Sequence, residues 1–175
     1  MTTTTLSLVA DIGGTNTRVA LADGKVVRQG SIRRYANAEF PGLEPVLTRY
    51  LAEEGIASVA GACVAAAGPV RDGVAVMTNL DWTITGQGLS GATGAARVSI
   101  LNDLQAQGHA LGRIEDRFLR PVIDGPVQAG AAMLVVGVGT GMNAAPVHET
   151  PWAAMSRPRN AGMSRCRCVA IMISA

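Results

Sequence analysis

The apolar positions of this chain fall into short runs separated by glycine, and their spacing sorts them into strands and helices. Leu6 to Ala10 has the pattern of a buried strand, and Val19 to Leu21 resumes it after a bend at Gly13-Gly14. Asp23-Gly24 is a hairpin signal, so a third strand is expected from Val26 towards Ile32. Leu43, Val46, Leu47, Tyr50 and Leu51 recur at the helical period and predict one apolar helix face, opened by Pro41 and ended by Gly55. Ile56 to Ala67, dominated by Val, Ala and Cys, reads as a buried parallel strand. A turn through Gly73 and a strand from Val74 to Met77 follow. Another strand ends at Leu101, a helix runs from near Asp103 to about Ile114, and a short strand spans Phe118 to Ile123. Ala131 to Val138 then predicts a strand entering a second glycine turn, with Ala144 to His148 as its return.

Composition narrows the class. With 48% hydrophobic and 16% charged residues the chain is globular, and 175 residues suit one domain. Aromatics are only 3%, so the core must be built from Ala, Val, Leu and Ile. A net charge of +2 gives no argument for a nucleic acid or anionic membrane partner. Lys25 is the only lysine, and it is not in a GxxxxGK[ST] setting, which excludes a P-loop. Met1 to Thr5 lacks the basic and apolar regions of a signal peptide, and no apolar run of about 18 residues occurs. Cys63 lies in an apolar run and reads as a buried thiol. A cytoplasmic protein is expected.

Three stretches carry chemistry. In the first, Asp11-Ile12-Gly13-Gly14-Thr15-Asn16-Thr17-Arg18, the glycines let the backbone take positive φ and approach a ligand. Successive N–H groups in such a turn can cradle an anion, and Asp11 could hold a hydrated Mg²⁺ beside phosphates. Thr15 and Asn16 add side-chain donors. An ordinary hairpin with a polar strand end is the plain alternative. In the second stretch a strand ends at Leu101 and Asn102-Asp103 projects from its carboxyl end, where ligands of α/β sheets collect. Asp103 could take a proton from a hydroxyl, and Asn102 could hold neighbouring hydroxyls; helix capping is the alternative for both. The third stretch is the turn Gly139-Thr140-Gly141. It is not a Rossmann fingerprint, because Met142 stands where the last glycine should be. Cys166-Arg167-Cys168 is too closely spaced for a zinc half-site, and His109 has no second ligand spaced to join it.

Taken in order, these stretches resemble the phosphate and sugar motifs of bacterial glucokinases, members of the actin/hexokinase/Hsp70-like superfamily. The resemblance covers about Leu6 to Glu149. It implies an α/β fold with a mixed sheet and flanking helices, the ribonuclease H-like N-terminal domain of actin-like ATPases. It also implies transfer of the γ-phosphoryl of ATP to the 6-hydroxyl of glucose, with ATP and Mg²⁺ as cofactors. Asp103 would then be the base and Asn102 a sugar contact. Ala10, Asp11, Ile12, Gly13, Gly14, Thr15 and Asn16 would hold phosphates with Gly139, Thr140 and Gly141, and Asp11 would be the metal-side carboxylate. Thr78-Asn79-Leu80-Asp81-Trp82 resembles a family segment near the sugar pocket, so Asn79 is a further sugar contact or a turn-forming Asn. Glucose and ATP are the expected partners, a homodimer is one expected assembly, and neither nucleic acid nor membrane is expected.

From Thr150 the character changes. No Asp, Glu or Lys follows Glu149, whereas Arg157, Arg159, Arg165 and Arg167 do. Residues 1–150 are therefore expected to form the glucokinase-like domain and 151–175 an aberrant tail, truncated or frame-shifted, leaving an inactive N-terminal fragment. A sugar-sensing regulator would carry a helix-turn-helix before the first motif, and only five residues precede Leu6. A non-catalytic interaction module is the other alternative.

Overall fold

The computed structural model describes residues 6–111, 113–122, 131–138, 142–149 and 154–156. Alternation builds its main sheet. Along β1 (Leu6–Ile12) the side chains of Leu8, Ala10 and Ile12 are buried and those between them are not. β2 (Asn16–Asp23) returns antiparallel, from Ile12 opposite Thr17 to Leu6 opposite Asp23.

The outer edge of β2 carries two short strands where one was expected. β3 (Val26–Val27) pairs with Ala22 and Asp23, and β4 (Arg33–Ala36) pairs with Asn16 to Val19. Between them lies a single 3₁₀ turn, Gln29–Ser31. The turn satisfies the backbone of buried Leu21: Ser31 Oγ accepts from its N–H at 2.9 Å, and Arg28 N–H donates to its carbonyl at 2.8 Å.

Helix α1 (Leu43–Glu53) buries all five residues of the predicted face, and Gly55 closes it at φ +67°. β5 (Gly61–Ala66) then joins β1 in parallel, with Ser7 opposite Gly61 and Ile12 opposite Ala66. It is shorter than the apolar run suggests, because Ile56 and Val59 serve the connection: their N–H groups bond Leu51 and Thr93 carbonyls. A small antiparallel sheet of β6 (Val70–Arg71), β7 (Val74–Val76) and β8 (Thr83–Thr85) leads into α2 (Gly86–Thr93). β9 (Arg97–Asn102) pairs in parallel with β5 and runs straight into α3 (Asp103–Ala110). The main sheet thus has the order β3-β2-β1-β5-β9, with β4 also on β2. One half is antiparallel and the other parallel, the mixed α/β sheet expected. The main core joins Leu8, Ile12, Val19, Leu21 and Val64 of one sheet face to Leu47 and Tyr50 of α1 and Leu89 of α2.

The chain divides into two compact units, Met1–Asp103 and Leu104–Ala175. In the second, β10 (Met133–Val138), β11 (Met142–Glu149) and β12 (Ala154–Ser156) form an antiparallel sheet. Its small core is Leu104, Val135, Ala145 and Val147. The composition break at Thr150 is not a break in pairing, since β12 lies beyond it and bonds to β11. Helix α3 stops at Ala110 rather than near Ile114, in keeping with the weakening effect of Gly108. The strand expected at Phe118 to Ile123 is corrected. Asp116–Phe118 is a 3₁₀ turn, and Phe118 and Val122 are exposed. Pro121 removes a ladder donor from the middle of that run. Among the described residues no helix is long and apolar enough to cross a membrane.

Candidate active site

The hairpin between β1 and β2 is held from both sides. Gly13 N–H donates to Asn16 O at 3.0 Å, closing the bend. Among the described residues the N–H groups of Gly14 and Thr15 are left without a backbone acceptor, so they are the donors the turn offers a ligand. The positive φ expected at Gly13-Gly14 is not found, and neither residue is left-handed. Nor does space demand glycine, since a Cβ at either position meets only ordinary contact distances. A Cβ on Gly13 would stand 3.4 Å from Asn16 O, and one on Gly14 would stand 3.4 Å from Asn79 Nδ2. Asn79, expected on the sugar, therefore lies over the hairpin. Ala10 and Ile12 turn their side chains into the core, so only their backbone could serve a ligand.

Sequence reasoning missed Asn37. Only 2% exposed, it donates from Nδ2 to Gly13 O at 2.9 Å and accepts at Oδ1 from Thr17 Oγ1 at 2.8 Å. Its backbone N–H donates to Thr15 O at 2.9 Å. One asparagine thus fastens both limbs of the bend. The only sequence signal is an uncharged polar residue between a strand-forming stretch and the helix opened by Pro41, which by itself reads as a loop residue.

Parallel pairing carries the second motif to the same end of the sheet. Ile12, Ala66 and Asn102 stand in one register across β1, β5 and β9. The strand ends are also tied, since Ala67 N–H donates to Ile12 O at 2.9 Å and Asn102 Nδ2 donates to Gly68 O at 3.0 Å. Asp103 follows as the first residue of α3. Desolvation lifts the Asp11 carboxyl above the ordinary carboxylate range; the Arg18 guanidinium opposes that rise and the charge of Asp103 adds to it. Asp11 and Asp103 are thus near enough to act on each other.

Asp11 and Arg18 face each other across the β1–β2 ladder, with Oδ2 and Nη1 3.6 Å apart. They line an open recess with Gly13, Thr15, Asn16 and Arg34. The arrangement offers hairpin donors, two guanidiniums and a carboxylate around one hollow, a setting suited to a phosphate-bearing ligand. Gly139, Thr140 and Gly141 lie outside the described residues.

A family model described as glucokinase matches residues 8–164, running past Glu149 into the stretch that composition sets apart. A glucokinase of Tolumonas auensis is 36% identical over 155 residues, covering 89% of this chain and 48% of that protein. The chain spans about half the length of the curated relatives it matches. The crystal structure of a glucokinase from an Antarctic psychrotroph aligns with TM-score 0.79 at 25% identity, over 93% of this chain and 54% of the other. A ROK family glucokinase from Streptomyces griseus, solved with glucose and AMPPNP, shares the fold at TM-score 0.55 and 24% identity, over 81% of this chain and 44% of the other.

Proposed function

This chain belongs to the glucokinase family, and we propose that it supplies the donor-phosphate side and the base-bearing edge of an ATP-dependent glucose kinase. The γ-phosphoryl of ATP passes to the 6-hydroxyl of glucose, and Asp103 takes the proton of that hydroxyl as the new O–P bond forms. The base works by position, since it must stand within hydrogen-bond reach of a proton that leaves late. Asn102, steered by its bond to Gly68, meets neighbouring sugar hydroxyls. Asn79, over Gly14, borders the place where hydroxyl and phosphoryl group meet. The N–H groups of Gly14 and Thr15 and the side chain of Asn16 hold phosphate oxygens.

The residues present fit Mg²⁺. That ion keeps most of its waters and takes one or two carboxylates plus substrate phosphates. Asp11 supplies one carboxylate at the recess beside the hairpin, with Asp103 kept for the proton, and no cluster of three or more ligating side chains occurs among the described residues. Asp11 would hold the ion, which when bound neutralises charge developing on the phosphates.

The observation that carries this reading is the shared register of Ile12, Ala66 and Asn102, by which the hairpin and Asp103 leave the sheet together. Isothermal titration of the chain with glucose and with MgATP, beside Asp103→Asn, tests it. The substitution is expected to weaken glucose binding about tenfold, through loss of a charged acceptor, and to leave MgATP binding near the parent value. Equal glucose affinity in both proteins would refute the role of Asp103. Catalysis of this type depends on a closed, dry cleft. Expressed as these 175 residues, the chain is expected to turn over far below the roughly 1–100 per second of kinases.

A further inference from the structure

We propose that Arg18 and Arg34 form an anion subsite beside the glycine hairpin, taking a phosphate oxyanion of the phosphoryl donor. The proposal rests on the reading of the recess as the donor site and extends it from Arg18, the last residue of the first motif, to Arg34, which no motif includes. Asp11 stands opposite Arg18 in the β1–β2 ladder, and Arg18 stands opposite Arg34 in the β2–β4 ladder. Directly opposed residues share a sheet face, so one carboxylate and two guanidiniums form a row across three strands. Their neighbours Thr17 and Tyr35 are buried on the other face, as strand alternation requires.

Like charges directly opposite one another are unfavourable unless something compensates them. Asp11 compensates Arg18 at 3.6 Å. Among the described residues no carboxylate pairs with Arg34, whereas its sequence neighbour Arg33 is held by Glu54 at 2.8 Å. The row therefore carries one excess positive charge, exposed at a recess also lined by Gly13, Thr15 and Asn16. A guanidinium fork matches two oxygens of one phosphate, and two forks side by side match a polyphosphate chain better than a single monoanion. A phosphate placed there would relieve the repulsion between the two arginines, and Thr15, whose N–H has no backbone acceptor, lines the same recess.

Calorimetric titration of the 175-residue chain at low ionic strength, without metal, tests this with sodium tripolyphosphate, ATP and glucose 6-phosphate as separate probes. Arg34→Gln is expected to weaken tripolyphosphate and ATP about fivefold to tenfold, as befits an exposed charge-assisted contact. Arg34→Lys, which keeps the charge and loses the fork, is expected to lose less. Arg28→Gln removes an equal charge from a residue paired with Asp23 at 3.3 Å outside the recess, and is expected to leave both affinities unchanged. Unchanged binding in Arg34→Gln, an equal loss in Arg28→Gln, or no tripolyphosphate binding by the parent would overturn the proposal. A loss confined to glucose 6-phosphate would overturn the assignment to the donor. Arg34-dependent tripolyphosphate binding in a chain whose glucose affinity ignores Asp103→Asn would count against the kinase reading and leave this subsite standing.

Discussion

Asn37→Ala removes the two side-chain hydrogen bonds that fasten the hairpin and leaves its backbone bond to Thr15 in place. Thr17, fully buried, is left with a hydroxyl that has lost its acceptor. The Gly13 carbonyl loses its donor too, but Gly13 is half-exposed and water can replace it. An unpaired buried polar group costs about 1–3 kcal/mol, and a hydrogen bond that water can replace about 0.5–1.5 kcal/mol. The expected loss is therefore about 1.5–4.5 kcal/mol. Urea unfolding followed by tryptophan fluorescence reads the global term, because Trp82 is buried in the same core. Amide hydrogen exchange at Gly13 reads the local one, since its N–H closes the bend onto Asn16. Exchange there should quicken even under conditions where the chain stays folded. A double-mutant cycle with Thr17→Val should show coupling, because the two side chains share one bond. A stability change within about 0.5 kcal/mol, with Gly13 exchange unaltered, would show that the asparagine does not hold the hairpin.

Two further outcomes follow from single groups. Tyr50→Phe deletes a hydroxyl that donates to Ser31 O at 2.9 Å from a fully buried ring. It should cost about 1 kcal/mol in urea unfolding, and a neutral result would mean that Ser31 O finds another donor. Asp11 has a folded pKa above its ordinary 3.8, so the folded chain binds the extra proton. Its contribution to stability is full below 3.8 and is lost as the pH rises through the raised value. Urea midpoints of the parent should therefore fall relative to Asp11→Asn across that acidic window, and a relative rise would reverse the assigned direction.

Much of the frame was legible because it rests on local periodicity. Every residue assigned to the apolar face of α1 is buried, and Gly55 takes the left-handed φ that ends a helix. Helix α2 was not legible, since Gly86, Gly88 and Gly91 give Gly86–Thr93 a poor helix propensity. It forms because Thr85 Oγ1 caps Gly88 N–H at 3.0 Å, Gly94 closes it in the left-handed conformation, and Leu89 and Thr93 are buried. The split of the third strand into β3 and β4 likewise depends on Ser31 meeting Leu21, a contact between separate elements.

The site divides along the same line. Asp11, the paired glycines and Asn102-Asp103 could be singled out as candidates, with capping the alternative for the last two, because hairpins, strand ends and helix starts are set by a few adjacent dihedrals. Their meeting could not, and nor could the clamp of Asn37 or the row of Asp11, Arg18 and Arg34. Which strands become neighbours, and in which register, depends on burying one continuous apolar face against α1 and α2. A shift of one residue in either ladder would turn these side chains to the opposite face of the sheet.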